Sequence, residues 1–109
     1  MVKRKIVKAA NYLKESLQES GVKVDKLIVF GSQARGTARK DSDIDIVIIS
    51  RDFKDKDIFA RAKLTGNAHW EVMQKILIPL DLVAMTPEEF ESGNSLIAES
   101  AKDGEIIFS

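Results

Sequence analysis

The first twenty positions mix apolar and charged residues with a helical period. The apolar members are Ile6, Ala10, Leu13 and Leu17, and Gly21 follows them as a C-terminal stop. This pattern predicts an amphipathic helix over residues 2–20.

Four short apolar runs are typical of strands. They are Lys26–Phe30, Ile44–Ile49, Leu80–Met85 and, as a final short strand, Glu105–Phe108. The run Ile44–Ile49 is β-branched at every position except Asp45, so we expect it to be buried on both faces and central in its sheet.

Helical patterns separate the strands. A brief helix is predicted over residues 33–35, a long one between 55 and 77 that could be continuous or bend or break near 65–67, and a last one near 94–102. The segment Thr86-Pro87-Glu88-Glu89 combines an N-cap threonine, a proline at the first helical position and a glutamate at N3. It therefore predicts a capping box that opens a further helix.

Composition narrows the class of protein. The chain has 109 residues, no cysteine, and 17 basic against 17 acidic side chains, with 44% hydrophobic residues. A single globular domain over residues 1–109 is expected from these values. The lack of cysteine excludes thiol catalysis, iron–sulfur clusters and cysteine-based zinc sites, and a cytoplasmic location is the default expectation. The longest apolar stretch, residues 46–49, is far below the roughly 18 residues of a membrane span, and no signal peptide is recognised.

Charge is unevenly distributed along the chain. Residues 1–54 hold 12 Lys and Arg against 7 Asp and Glu, whereas residues 55–109 hold 5 against 10. No long basic stripe appears, which argues against a duplex-DNA binder but leaves room for a local anion site in the first half. The basic run Lys3, Arg4, Lys5 and Lys8 is interpreted as the solvated face of a helix.

The segment that carries candidate chemistry runs from Gly31 to Asp45. Gly31 and Ser32 directly follow a predicted strand, where a glycine lets an anion approach the backbone and the amides of the next turn point at it. Asp43 and Asp45 are two positions apart at the entrance of the next strand, so both carboxylates leave the same face. Such a pair needs compensation by cations, and oxygen ligands suit Mg²⁺ or Mn²⁺.

A third carboxylate, Asp81, lies inside an otherwise apolar predicted strand, where an acid is rare. If that strand lies beside the one carrying Asp45, the three acids form one site. They could then hold two metal ions about 3.5–4 Å apart, as two-metal enzymes do.

Each of these residues also has an ordinary structural explanation. Asp43 could be a turn residue with Ser42, Asp45 could pair with Arg35 or Arg39, and a glycine after a strand is usually only a turn. Their joint occurrence in this order favours the functional interpretation.

Other conspicuous residues are interpreted structurally. His69 is expected at the surface or in packing, Trp70 in the core or at a partner interface, and Phe59 and Met73 in the core. Tyr12 lies off the apolar stripe of the first helix and is expected to be partly exposed.

The motif resembles that of the nucleotidyltransferase superfamily related to DNA polymerase β, which has Gly-Ser, ten residues, Asp-x-Asp and a distal third Asp. Here Gly31-Ser32 is followed by ten residues and then by Asp43-Ile44-Asp45. The match extends to the minimal nucleotidyltransferases, short chains that often read Gly-Ser-x-Ala-Arg-Gly before Ser-Asp-x-Asp, and it covers nearly the whole chain. The resemblance implies an α+β, α/β-like fold: a small mixed sheet of about four strands backed by helices.

The resemblance also implies roles for individual residues. Gly31 and Ser32 would hold the β- and γ-phosphates of ATP, Asp43 and Asp45 would bind two Mg²⁺ ions, and Asp81 would bind the catalytic metal and help deprotonate the acceptor hydroxyl. Around them, the residues assigned to charge and nucleotide binding near the triphosphate are Arg35, Arg39 and Ser42.

Many minimal nucleotidyltransferases are antitoxins paired with a helical HEPN ribonuclease toxin, which they neutralise by transferring AMP from ATP to it. The resemblance therefore implies a Mg²⁺-dependent protein adenylyltransferase that releases pyrophosphate, acts with a HEPN-type partner and forms a homo- or hetero-oligomer. Two alternatives stay open: an antitoxin that neutralises a toxin by occlusion without catalysis, and nucleotidyl transfer to a small molecule. RNA tailing is a third rival, although the extra domains usual in such polymerases are not recognised in this sequence and no strong nucleic-acid-binding signal is present.

Overall fold

The computed structural model describes residues 2–39, 42–93 and 95–109. Within these ranges the helices and strands alternate in the order expected. The helices are α1 (Arg4–Glu19), α2 (Ser32–Arg35), α3 (Ile58–Ile76), α4 (Pro87–Ser92) and α5 (Leu96–Lys102). The strands are β1 (Lys26–Phe30), β2 (Ile44–Ile49), β3 (Leu80–Met85) and β4 (Glu105–Phe108), and a 3-10 turn spans Arg51–Phe53.

The described strands form one mixed sheet in the order β3-β2-β1-β4. β1 runs antiparallel to both β2 and β4, whereas β2 and β3 run parallel. The crossover between the parallel strands contains α3, as parallel pairing requires a long connection. The mixed α+β fold and the central place of β2 are thereby confirmed.

Helices cover both faces of this sheet. One core, which contains Leu13, Ile46 and Phe53, lies between the sheet and the pair α1 and α3. The other, which contains Val47, Phe90 and Ala98, lies between the sheet and the pair α4 and α5. Alternate residues of a strand point to opposite faces of the sheet. The odd-numbered positions of β2, which include Asp45, therefore point to the face on which α4 and α5 pack against Val47 and Ile49.

Helix ends follow the sequence signals. At the start of α4, Thr86 Oγ1 accepts from the amide of Glu89 at 3.1 Å and the Glu89 carboxylate accepts from the amide of Thr86 at 2.8 Å. The predicted capping box is therefore present. The start expected for the last helix, Asn94, lies outside the described residues, as does part of the polar loop before Asp43.

The long helix expected between residues 55 and 77 is present as α3, and it is continuous across Gly66. A single glycine within a helix costs only about 1 kcal/mol. The expectations for two of its residues were wrong. Phe59 and Met73 are not core residues, with 81% and 37% of their surfaces exposed. The buried row of α3 contains Thr65, Ala68 and Val72, and the two predicted core residues lie on the other side of the helix. No helix among the described residues has the length and apolar character needed to cross a membrane.

Candidate active site

The turn after β1 is built around a glycine. Gly31 has φ 72° and ψ −151°, a conformation that side chains with a Cβ avoid, and it caps the short helix α2. The amide of Arg35 donates to its carbonyl oxygen at 3.1 Å, so the chain turns directly from strand to helix. The first amides of α2 have no acceptor within the helix and are available to an anion.

Gly31 also lies against a carboxylate. A Cβ added at this position would lie 2.5 Å from Oδ2 of Asp45. Phe30 of β1 is the register partner of Asp45, which explains the close approach. A Cβ at this position would therefore require the Asp45 side chain to move.

Asp45 and Asp81 form a carboxylate pair on neighbouring strands. They are register partners in the parallel pairing of β2 with β3, so their side chains leave the same face of the sheet. Burial raises the pKa of Asp45 above its usual range, and the negative charges of Asp81 and Asp43 raise it further. The positive charge of Arg35 acts on this pKa in the opposite direction.

Asp43 lies just before β2 and is exposed. It is close enough to Asp45 to influence the pKa of that residue. Among the described residues, however, no three His, Cys, Asp or Glu side chains are gathered as a closed metal-binding group. The structure thus brings Asp45 and Asp81 together and leaves Asp43 at the edge of the same site.

This donor set still fits a hard divalent cation. Two neighbouring carboxylates that repel each other supply the oxygen ligands and negative charge that Mg²⁺ prefers, and Mg²⁺ commonly takes further ligands from water and substrate phosphates. The raised pKa of Asp45 reflects burial and repulsion by neighbouring negative charges, and a bound cation would offset that repulsion.

A buried glutamine, which the sequence analysis missed, holds the two halves of the motif together. The side-chain amide of Gln33, in α2, donates to the carbonyl oxygen of Ser42 at 3.2 Å. Ser42 Oγ in turn accepts from the amide of Arg39 at 2.7 Å, so Ser42 shapes the loop before Asp43. Gln33 is 7% exposed, and its burial in a four-residue helix had no periodic signal in the sequence.

The remaining candidates lie at different distances from this centre. Arg35 is exposed at the end of α2 and acts on Asp45 electrostatically. His69 Nε2 lies 2.5 Å from the carbonyl oxygen of Leu80, which confirms a packing role. Tyr12 is partly buried, with the ammonium of Lys75 4.8 Å from its ring centroid.

A glycine turn between a strand and a helix, next to two strand carboxylates, is an arrangement that suits phosphoryl or nucleotidyl transfer. The sequence matches the nucleotidyltransferase domain family over residues 8–107. The chain belongs to this family, and its fold is that of a nucleotidyltransferase.

Solved structures agree with this assignment at the level of the fold. A candidate nucleotidyltransferase from Sulfolobus solfataricus superposes with a TM-score of 0.68 at 22% identity, covering 94% of this chain and 78% of its own. A toxin–antitoxin structure with AMP-PNP superposes with a TM-score of 0.66 at 22% identity, and the match covers 92% of this chain and 73% of the other. A structure of the toxin–antitoxin MntA-HpeT, a mutant with two aspartates replaced by glutamates, superposes with a TM-score of 0.63 at 18% identity. The match covers 92% of this chain and 72% of the other. Among curated proteins, no sequence matches this chain.

Proposed function

We propose that this protein is a Mg²⁺-dependent adenylyltransferase that transfers AMP from ATP to a hydroxyl group of a partner protein, a toxin that it neutralises. The observation that carries the proposal is the Asp45–Asp81 carboxylate pair beside the Gly31 turn. One element binds anionic phosphate, and the other binds the cation that phosphates require.

The Gly31 turn is suited to the triphosphate. Without a Cβ, the backbone at this position can approach bulky phosphate oxygens, and the amides that open α2 point towards them. Ser32 can add a hydroxyl donor. The positive charge of Arg35 favours the same anion, whereas Ser42 has its hydroxyl engaged in the loop and contributes through loop shape.

Asp43, Asp45 and Asp81 are the residues that would hold Mg²⁺. A bound Mg²⁺ neutralises charge on the phosphates and lowers the pKa of an attacking hydroxyl. Asp81 is the more exposed member of the pair, and it would accept the proton of the acceptor hydroxyl.

The reaction is an in-line displacement at the α-phosphorus. The acceptor oxygen forms a bond to this phosphorus, the bond to the β-phosphate bridging oxygen breaks, and pyrophosphate leaves. The acceptor proton passes to Asp81, so no covalent intermediate on this chain is required.

The identity of the partner is supported by the neighbouring structures. Two of them are toxin–antitoxin structures, one of which contains AMP-PNP. In the other, the two substituted aspartates are two positions apart, the spacing of Asp43 and Asp45 here. A helical HEPN-type toxin in the cytoplasm, joined to this chain in a hetero-oligomer, is the partner we infer.

The decisive experiment uses ATP labelled in the α- or the γ-phosphate. Purified protein, Mg²⁺ and a lysate of the native host are incubated, and labelled proteins are separated. We expect label from the α position only, on a second protein, and its loss with Asp45→Asn, with Asp81→Asn and with EDTA.

The matched control is Asp55→Asn. Asp55 is exposed, remote from the site and at φ 60°, a conformation that asparagine tolerates. This variant should transfer label as the wild type does. Label from the γ position would mean phosphoryl transfer, and undiminished transfer by Asp81→Asn would refute the proposed site. Neutralisation of the toxin by Asp45→Asn without any label would favour the occluding antitoxin.

A further inference from the structure

Gln33, in the short helix α2, is a buried polar side chain whose hydrogen bond leaves its own helix. Among the described residues, the other buried polar side chains are hydroxyls: Ser16, Ser50, Thr65 and Thr86. Ser50 and Thr86 cap helical turns, and Thr65 donates to the preceding turn of its own helix. Gln33 differs from them, because its amide contacts a loop that lies nine residues further along the chain.

Burial of a glutamine is unfavourable unless its amide finds a partner. The amide loses its hydrogen bonds to water, and ordering the long side chain costs conformational entropy. Methionine has similar length and volume and would fill a position of 7% exposure without losing those hydrogen bonds. The amide at residue 33 is therefore explained by the hydrogen bond that it makes and not by packing.

This hydrogen bond fixes the peptide group through which the chain enters Asp43. Gln33 Nε2 donates to the carbonyl oxygen of Ser42 at 3.2 Å. Because a peptide group is planar, that carbonyl and the amide nitrogen of Asp43 belong to one rigid unit. A side chain that orients the Ser42 carbonyl therefore also orients the backbone at Asp43.

The neighbouring peptide groups are held as well. The amide of Ser42 donates to the Arg39 carbonyl oxygen at 3.0 Å, and its hydroxyl accepts from the Arg39 amide at 2.7 Å, so the two residues close a turn. On the other side, the amide of Ile44 donates to the Pro79 carbonyl oxygen at 2.9 Å, which joins the start of β2 to the chain before β3. The bond from Gln33 ties the turn to α2.

The two ends of this bond belong to the two halves of the candidate site. α2 begins directly after Gly31, the turn that we propose binds the triphosphate, and Ser42 directly precedes Asp43, a proposed ligand of Mg²⁺. A magnesium ion in a nucleotide site is typically held by carboxylates together with substrate phosphates. The relative position of the Gly31 turn and Asp43 therefore matters to the reaction, and Gln33 spans the two.

We propose that Gln33 is a positioning residue, which holds the Asp43 carboxylate in place relative to the Gly31 turn through its hydrogen bond to Ser42. This inference rests on the proposed function, because it names what keeps the two parts of that site aligned. Gln33 acts through its neighbours, since its amide is buried and engaged in the loop. Loss of the bond should impair catalysis and the use of Mg²⁺ together and leave recognition of the acceptor unchanged.

The test uses Gln33→Met, which keeps the length of the side chain and removes the donor. The first control is Gln74→Met, the same substitution at an exposed position of α3. The second control is Thr65→Val, which replaces another buried polar side chain by an apolar one of similar shape. The acceptor is the protein that takes up α-label from ATP in the lysate, identified by mass spectrometry and then purified.

We expect Gln33→Met to lower kcat for α-label transfer by roughly tenfold to 100-fold, the usual effect of losing a residue that orients a metal ligand. The Mg²⁺ concentration that gives half the maximal rate should rise by about fivefold or more for the same reason. The KM for the acceptor should keep its wild-type value, because the acceptor does not contact Gln33. Both controls should keep kcat, the Mg²⁺ dependence and the acceptor KM.

A second measurement needs neither nucleotide nor metal and does not depend on a variant. In the wild-type protein in EDTA, the side-chain amide protons of Gln33 should exchange with solvent about tenfold more slowly than those of the exposed Gln74, as followed by NMR. In Gln33→Met, the backbone amides of Arg39 and Ser42 should exchange severalfold faster than in the wild type, because their turn is no longer tied to α2.

Four results would overturn the inference. Exchange as fast at the Gln33 side chain as at Gln74 would show that the bond is absent. An unchanged kcat and Mg²⁺ dependence in Gln33→Met, or an equal loss in Thr65→Val, would show that Gln33 does not position the site, although the transferase activity itself would stand. Absence of any α-labelled protein with the wild type would refute the proposed function and the inference together.

Discussion

Gly31→Ala tests the geometry of the site by adding a single methyl group. Two physical effects follow from this change. The backbone must keep φ 72° and ψ −151° with a Cβ present, which costs about 1–3 kcal/mol. The new methyl group would also lie 2.5 Å from Oδ2 of Asp45, so that carboxylate must shift from its position in the site.

Gly36→Ala separates these two effects. Gly36 also has a positive φ, 76°, and a Cβ added there meets no atom within 4 Å. Its cost is the left-handed conformation alone, about 1–2 kcal/mol. Both variants should therefore lower the melting temperature by comparable amounts, roughly 4–6 °C for each kcal/mol in a chain of this size.

Activity should distinguish the two variants. Displacement of one reacting or ligating group by about 1 Å typically costs on the order of 100-fold in rate. We expect Gly31→Ala to lose α-label transfer by about this factor and Gly36→Ala to stay within a fewfold of the wild type, with melting followed by circular dichroism. Equal activities in the two variants would refute the close approach of Gly31 to Asp45 as a requirement of the site.

Other consequences of the structure can be measured on the purified protein. Asp45→Asn should raise stability in EDTA at pH 7 by up to about 1 kcal/mol, because it removes a like-charge repulsion, and should abolish the rise in melting temperature that Mg²⁺ gives the wild type. Gly66→Ala should stabilise α3 by about 0.5–1 kcal/mol in urea unfolding, since a Cβ there meets nothing within 4 Å. A hydrogen bond from Arg61 lowers the pKa of Glu89 below its ordinary 4.5, so its stabilising effect is present above pH 4.5 and is lost as the pH falls through the lower folded-state value. Glu89→Gln should weaken the dependence of the free energy of unfolding on pH in this acidic range. An unchanged pH dependence below pH 4.5 would contradict the role of the Arg61–Glu89 pair.

Local sequence signals predicted the strands well. The β-branched run Ile44–Ile49 and the apolar run Leu80–Met85 are bounded by turn residues, so their limits were readable from residue type alone. The capping box of Thr86 and Glu89 was equally local. The candidate site residues could be predicted because a glycine directly follows one strand and an aspartate lies near the start of another, where neither residue type is common.

Features that depend on tertiary contacts could not be predicted from the sequence. The apolar residues of α3 exceed what one buried face can hold, so periodicity could not show that Met73 would be exposed and Val72 buried. The Gln33 amide reaches Ser42 across a loop, and no sequence pattern encodes that contact. Asp81 lies beside Asp45 only because β2 and β3 pair in parallel in one particular register, which the sequence does not specify, although the two acids were expected to share a site.

The parallel pairing of β2 with β3 has a consequence for folding. β1 and β2 are joined by residues 31–43, whereas β3 pairs with β2 across the longer connection of residues 50–79 that contains α3, and closing a longer loop costs more conformational entropy. The two carboxylates therefore stay apart until this connection has closed, and amides of β3, an edge strand, should exchange with solvent before those of the inner strands β1 and β2 in the native protein. The carboxylate pair would then separate while the pairing of β1 with β2 remained intact.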